Sequence, residues 1–244
     1  MAEFSMKIAG YTAKVTSLFE STPQYFRPYL ATDPPEFTVT VTREHIAFEQ
    51  ADLLAEAHRD GFRPRVFTDP FLERAAIQRA FAEFLIDRNI LLFHGSAIAL
   101  DGQGYLFTAH SGTGKSTHTR LWRQVFGDRA IMINDDKPFL EIRPDGVWLH
   151  GSPWSGKHGL DTNIRVPLKG ICILERGKEN RIRPAAMEEA LPMLRKQAYE
   201  PLTENAHSTS LVLLDALSRQ VPLWNLSCNK EPQAALTAWE AMHI

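Results

Sequence analysis

The chain has few of the features that mark a secreted, membrane-spanning or nucleic-acid-binding protein. Only Cys172 and Cys228 occur in 244 residues. They have no Cys-x-x-Cys or Cys/His spacing, so reduced thiols are expected rather than a disulfide framework or a zinc site. Nowhere do about 18 apolar residues run together, and the opening residues MAEFSMKI have no basic region leading into a long apolar stretch. No membrane span or secretory signal is expected, and the expected compartment is the cytoplasm. Neither sign of charge dominates: 27 Lys and Arg face 29 Asp and Glu, for a net charge of -2. That balance gives no general attraction to nucleic acid or to an anionic membrane surface. The five tryptophans, Trp122, Trp148, Trp154, Trp224 and Trp239, are scattered rather than interleaved with Lys and Arg. They form no evident stacking platform for single-stranded nucleic acid. Internal repeats, low-complexity tracts and long charged linkers are missing too.

What is present is an ordinary globular composition, 44% hydrophobic and 23% charged, enough for a real core. Residues 7–15 and 36–42 alternate with β-branched and aromatic side chains, which predicts half-buried antiparallel strands. Asp69-Pro-Phe-Leu-Glu predicts a helix start. Its apolar stripe of Leu72, Ala76, Ile77, Ala80, Phe81, Phe84 and Leu85 is expected to pack beneath the following domain. Short apolar strands are expected at 90–93, 96–100, 104–108, 130–133, 146–149 and 170–174. Helices follow at 187–197 and 208–218, then a strand at 222–226 and a helix from Pro232. The order is that of a mixed α/β fold. We place a β-rich segment at 1–68 and a larger domain at 69–244, with a soft boundary near residues 65–90. Residues 225–229, including Cys228, read as a strand end and turn to which no chemistry is assigned.

The most informative feature is Ala109-His-Ser-Gly-Thr-Gly-Lys-Ser116, directly after the strand-like run ending at Thr108. It has the form of a phosphate-binding loop with alanine in place of the usual first glycine. Gly112 and Gly114 let the backbone wrap an anion with its N–H groups. Lys115 adds charge, Ser116 sits where a Mg²⁺ bound to the phosphates needs an oxygen, and Leu121, Trp122, Val125 and Phe126 mark the helix that follows. A structural reading, a glycine-rich turn that binds nothing, does not explain Lys115 and Ser116. A second constellation, Ala130-Ile-Met-Ile-Asn-Asp-Asp136, is an apolar strand ending in two carboxylates. One could serve Mg²⁺, and the other could accept the proton of a hydroxyl nucleophile. A solvated acidic turn paired with Lys137 is the bland alternative. Residues 151–159, Gly-Ser-Pro-Trp-Ser-Gly-Lys-His-Gly, form a second glycine-rich loop. Lys157 or the later Arg165 could stabilise a transferring phosphoryl group, and Trp154 is the tryptophan expected to face a ligand.

His94-Gly-Ser-Ala97, Ser111-Gly-Thr-Gly-Lys-Ser116 and Asn134-Asp-Asp136 together resemble the nucleotide core of HPr serine kinase/phosphorylase and the ATP-dependent phosphoenolpyruvate carboxykinases. The resemblance covers roughly residues 90–175. It implies a mixed-sheet nucleotide-binding core of that type, with ATP and Mg²⁺ as cofactors. Ser111, Gly112, Thr113, Gly114, Lys115, Ser116 and Thr117 would hold the phosphates, with Ser116 and Asp136 at the metal. The resemblance makes Asp135 the catalytic base, although the two aspartates could exchange roles. His94 matches a histidine beside the metal or the reacting phosphate, and Arg165 lies roughly where the carboxykinases carry a catalytic arginine. Gly159-Leu-Asp-Thr-Asn163 departs from the kinase signature linked to phosphorylase activity, and the N-terminal strands do not match that enzyme's regulatory domain. The expected activity is an HPr-kinase-like phosphotransferase moving the γ-phosphoryl group of ATP to a hydroxyl acceptor. Serine in a peptide or protein is favoured, with a small hydroxy compound as the other acceptor class. The rival reading is a nucleotide-gated peptide- or protein-binding module, and homo-oligomer formation is left open.

Overall fold

The computed structural model describes residues 1–59, 61 and 63–243. Its contacts divide the chain into two compact units, Met1–Phe84 and Leu85–Ile244.

The first unit begins with a hairpin, β1 (Ala2–Ile8) and β2 (Tyr11–Ser17), in antiparallel register from Ala2↔Ser17 to Ile8↔Tyr11. Positive φ at both Ala9 (50°) and Gly10 (90°) fits the two-residue turn whose twist matches the strands it joins. The alternating run expected at 7–15 is therefore two strands interrupted by a turn. A short helix α1 (Thr22–Tyr25) and a 3-10 turn (Arg27–Tyr29) lead to β3 (Phe37–Thr40). β3 pairs with β2 in parallel, Ala13↔Phe37 to Thr16↔Thr40, and not in the antiparallel arrangement expected. The intervening segment crosses over, which parallel pairing requires.

Two helices complete this unit: α2 (Arg43–Arg59), which the sequence pattern did not suggest, and α3 (Asp69–Ile86). Arg79 of α3 bridges Glu49 (2.5 Å) and Asp52 (2.6 Å) of α2. Within this unit, Phe81 and Phe84 of the α3 stripe pack on β3. Phe84 stacks on Phe37 with centroids 3.8 Å apart, and Phe81 meets the same ring edge-on at 5.0 Å. Glu73 of α3 is fully buried, where its carboxylate accepts hydrogen bonds from the Leu18 N–H and the Thr22 hydroxyl. The division between the two units falls in the last turn of α3.

The second unit is built on β4 (Ile90–Leu92), β5 (Ser96–Leu100), β6 (Gln103–Thr108), β7 (Ala130–Asn134), β8 (Phe139–Arg143), β9 (Gly146–His150), β10 (Arg165–Arg176), β11 (Arg181–Pro184) and β12 (Leu223–Cys228). Its helices are α4 (Lys115–Phe126), α5 (Met187–Gln197), α6 (Glu204–Gln220) and α7 (Gln233–Met242). The strand order is β4-β8-β9-β10-β6-β5-β7, with β12 beside β10 and β11 beside β12. Long β10 joins the parts: Arg165–Pro167 pairs antiparallel with β9, while later residues run parallel to β6 and β12. The sheet is mixed and curled.

Alternation on the central strands assigns the two faces of this sheet. Leu106, Ile171 and Ile173 join Leu194, Leu214 and Leu217 in one buried cluster. Phe107, Cys172 and Leu174 join Trp122, Ala235 and Ala238 in the other. Successive strand residues point to opposite faces, so each central strand feeds both cores and needs a helix layer on each side. Burial of a large apolar side chain contributes about 1.5–3 kcal/mol, and the two clusters hold this unit together.

Candidate functional site

The site is assembled where β6 ends, α4 begins and β7 ends. After β6, residues 109–114 turn sharply into α4. Gly112 has φ 76° and Gly114 has φ 131°, backbone conformations that residues with a Cβ rarely adopt. A Cβ at Gly112 would meet nothing within 4 Å, so conformation, not crowding, requires these glycines. Ser111 and Gly112 are exposed, and Thr113, Gly114, Ser116 and Thr117 half-buried. The first N–H groups of α4 have no partner within the helix. Lys115 is buried and its Nζ donates to the Ala109 carbonyl at 3.2 Å, closing the loop on itself. Burial lowers its pKa, against the carboxylates of Asp136 and Asp135 and together with the charge of Lys137.

The paired aspartates differ in their surroundings. Asp135 is only 7% exposed, and its Oδ1 accepts from the Ser96 hydroxyl at 2.7 Å. The Ser96 hydroxyl lies 2.8 Å from the Thr119 hydroxyl on α4. A buried chain of hydrogen bonds thus runs from the end of β7 through β5 into α4. Asp136 is half-buried, with Oδ1 3.3 Å from Nε2 of His94. Burial opposes its ionisation, but the hydrogen bond from His94 and the charges of Lys137 and Lys115 hold its carboxyl below the usual range. Burial also pushes the His94 imidazole down, against the Asp136 bond and together with Lys137 and Lys115. Near neutral pH a neutral ring donates Nε2–H to an ionised carboxylate.

Asn134 fixes how the aspartates leave the strand. Its Oδ1 accepts from the backbone N–H of Asp136 (2.7 Å) and Lys137 (2.6 Å), and its Nδ2 donates to the Ser152 carbonyl at 2.8 Å. That is an Asx turn tied to the second glycine-rich loop. His94 is set from the other side: its N–H donates to the Gln197 carbonyl (2.7 Å), and its carbonyl accepts from the Thr108 hydroxyl (3.1 Å). A Cβ on Gly95 would lie 2.7 Å from Leu106 Cδ1 and 3.0 Å from the Phe107 carbonyl oxygen, so the His94-Gly-Ser96 segment passes close against β6.

The second glycine-rich loop lies against this cluster and is largely interior. Gly151 to Ser155 are buried. Trp154 is 7% exposed and meets Phe139 edge-on at 6.4 Å, so its ring serves the core and does not face a ligand as expected. A Cβ on Gly156 would stand 3.2 Å from Asp136 Cβ, which puts the 3-10 turn Gly156–His158 directly over that aspartate. Lys157, in this turn, is exposed. Arg165 is not gathered into the cluster. Its Nε is 3.4 Å from Glu141 Oε2 and its guanidinium lies 4.1 Å over the Trp148 ring. Glu141 also holds the buried His150, at 3.0 Å.

Four residues that carry this geometry were not singled out by sequence reasoning: Ser96, Thr119, Asn134 as an Asx turn, and Arg176. The Arg176 guanidinium, at the end of β10, donates to the Gly112 carbonyl (2.5 Å) and to the Thr113 carbonyl (3.4 Å), pinning the loop before α4. An isolated Arg after a strand gives no sequence signal for such a role. Among the described residues no group of three or more His, Cys, Asp or Glu side chains is placed to hold a metal ion. The oxygens of Ser116, Asp135 and Asp136 still suit Mg²⁺, which keeps several waters and takes one or two carboxylates alongside phosphate oxygens.

Comparison with known proteins defines the class of chain that carries this site. Residues 77–231, more than half of the chain, match the family described as SynChlorMet cassette protein ScmC. The chain belongs to that family. Among solved structures it is similar to the Hpr(Ser) kinase/phosphatase from Coxiella burnetii, at 11% identity over 62% of this chain and 95% of that one, with a TM-score of 0.37. This is a distant similarity of structure. No curated protein matches the sequence. Among the described residues no helix is long and apolar enough to cross a membrane.

Proposed function

We propose that the chain is an ATP- and Mg²⁺-dependent kinase that transfers the γ-phosphoryl group to a hydroxyl acceptor, with serine in a peptide or protein favoured over a small hydroxy compound. The observation that carries this reading is the convergence of a glycine-determined loop, the buried Lys115 behind it and two ionisable carboxylates within electrostatic reach of that lysine. A loop whose N–H groups and lysine converge is suited to phosphate, and a pair of carboxylates beside it is suited to metal and proton chemistry.

In this reading the residues 111–117 cradle the triphosphate, and Lys115 releases the Ala109 carbonyl to contact the β- and γ-phosphates. Ser116 and Asp135 would hold Mg²⁺, which when bound neutralises phosphate charge. The acceptor oxygen bonds to the γ-phosphorus as the bond to the ADP oxygen breaks, and its proton passes to a carboxylate. Burial ranks Asp136 first for that proton, because its carboxylate is half-exposed beside His94 while Asp135 is committed to Ser96. This is the exchanged assignment that the sequence left open. Lys157, in the turn over Asp136, would stabilise the transferring group once the acceptor is in place.

The test is transfer of label from γ-labelled ATP with Mg²⁺ to a panel of serine peptides and small hydroxy compounds. Wild-type protein should label an acceptor. Asp136→Asn should bind ATP and transfer no label, and Asp135→Asn should weaken Mg²⁺-dependent binding. If Asp136→Asn keeps transferring while Asp135→Asn binds but does not, the proton belongs to Asp135. Tight ATP binding with no label on any acceptor, coupled to ATP-dependent capture of a peptide, would replace the kinase with a nucleotide-gated binding module.

A further inference from the structure

Lys137 follows the two aspartates and has no part in the mechanism above. Its backbone is held on both sides: the N–H donates to Asn134 Oδ1 at 2.6 Å, and the carbonyl accepts from the Ser152 hydroxyl, also at 2.6 Å. Both partners are fully buried. The antiparallel register of β4 and β8 sets Leu92 opposite Phe139 and continues past the strand ends. There the Phe93 N–H donates to the Pro138 carbonyl and the Gly95 N–H to the Asp136 carbonyl, each at 3.0 Å. Lys137 therefore lies directly across from His94. Opposed residues of an antiparallel pair are side-chain neighbours, so the fold delivers a lysine to the histidine that touches Asp136.

The ammonium at the end of this fixed backbone is unused. Lys137 is half-buried, and among the described residues its side chain makes no hydrogen bond and no ion pair. The pairing with the aspartates that a solvated acidic turn would show is not formed: Asp135 Oδ1 is taken by Ser96, and Asp136 Oδ1 lies against His94. The charge of Lys137 nevertheless reaches the site, where it acts on His94, Asp136 and Lys115 alike. Two ammonium groups within electrostatic reach of each other repel, and like-charge arrangements of this kind collect at sites where an anion joins them.

We propose that Lys137 is a second phosphate contact, its ammonium taking an oxygen of the γ-phosphoryl group on the side of His94 and Asp136 while Lys115 holds the side of the loop. This inference rests on the kinase reading and deepens it. With the acceptor beside His94 and Asp136 and the phosphates in the loop that Lys115 closes, the γ-phosphoryl group lies between the two. Lys137 forms no covalent bond and exchanges no proton. It holds the negative charge that spreads over the phosphoryl oxygens as the bond to ADP breaks. A point charge on a flexible stem suits an oxygen that moves during transfer.

ADP separates this contact from the rest of the site, because it keeps the nucleoside and two phosphates and lacks the group that Lys137 holds. Titrated calorimetrically with Mg²⁺ and no acceptor, the wild-type protein should bind ATP more tightly than ADP. Lys137→Met, which keeps the apolar stem and removes the charge, should lose about 10- to 100-fold in ATP affinity and keep its ADP affinity. Retained ADP binding also shows that the variant folds. Lys137→Arg, which keeps the charge, should keep most of the preference for ATP. The wild-type protein gives a second reading that needs no variant. When lysines are acetylated with acetic anhydride and mapped by mass spectrometry, ATP should protect Lys137 and ADP should not. Equal wild-type affinity for the two nucleotides, an equal loss of both in Lys137→Met, or a preference for ATP that survives Lys137→Met would overturn the γ-phosphate assignment while leaving a nucleotide-binding loop. Failure of both nucleotides to bind the wild-type protein would overturn the kinase reading itself, and this inference with it.

Discussion

Two glycine-rich loops meet at the candidate site, and Gly112 of the one and Gly151 of the other are there for opposite reasons. In residues 109–114 the glycines stand in open space with positive φ, and a methyl group at Gly112 would touch nothing. In residues 151–159 the leading glycine has ordinary φ and no room: a Cβ on Gly151 would sit 1.9 Å from the Thr162 carbonyl oxygen. The first loop uses its glycines to turn sharply from β6 into α4. The second is interior structure, with Asn134, Ser152 and Trp154 cross-linked beneath the aspartates. A similar composition thus serves an exposed turn in one place and a scaffold in the other.

Acid should separate the two sides most strongly. His118, on the helix of the first loop, has its pKa pushed down to about 3 by burial, against 6.5 when free. A histidine with a depressed folded-state pKa binds more protons unfolded, so its stabilisation is present above about 6.5 and is lost as pH falls towards 3. The loss integrates to roughly 4–5 kcal/mol at 1.36 kcal/mol per pKa unit. Urea unfolding across this range should show it, and His118→Phe should flatten that part of the profile. Next in size, Gly151→Ala should destabilise the fold by more than about 3 kcal/mol, because the new methyl group meets backbone that cannot step aside. Thermal unfolding checks it. Asn134→Ala should cost about 1–3 kcal/mol for each buried group left unpaired, and should cut phosphoryl transfer more than ATP affinity by releasing Asp136. Smallest in stability, Gly112→Ala should cost about 1–2 kcal/mol from backbone strain, yet its effect on triphosphate binding should exceed that of Gly151→Ala in whatever fraction stays folded. If Gly112→Ala proves neutral in binding, the contrast between the loops fails.

How far the sequence carries a reader depends on whether the signal is local. β5, β6 and β7 were readable because they are unbroken apolar runs in a buried sheet, and α5 because its apolar residues keep helical spacing to Gln197. β8 (FLEIR) and β11 (RIRP) were missed because charged residues and a proline dilute the pattern at positions where the sheet is curled or ends. α2 was missed because little of it is buried, chiefly Ile46 and Glu49, and so it lacks an apolar stripe. The parallel pairing of β3 is a property of the crossover, which no residue pattern reports. At the site, the loop and the aspartates announce themselves by spacing. The support from Ser96, Thr119 and Arg176 does not, since each acts through a contact between residues at least 23 positions apart. Trp154 was misjudged for the same reason, because its place beside Phe139 is set by tertiary packing.

The central claim is that the first loop holds the triphosphate and the second only shapes what happens to it. Calorimetric titration of ATP with Mg²⁺ into wild-type, Lys115→Ala and Lys157→Ala proteins tests it most directly. Removing a charge-assisted contact of about 1.5–3 kcal/mol predicts a loss of about 10- to 100-fold in affinity for Lys115→Ala, with Lys157→Ala staying near wild type. Wild-type affinity in Lys115→Ala, or a larger loss in Lys157→Ala, would contradict the account.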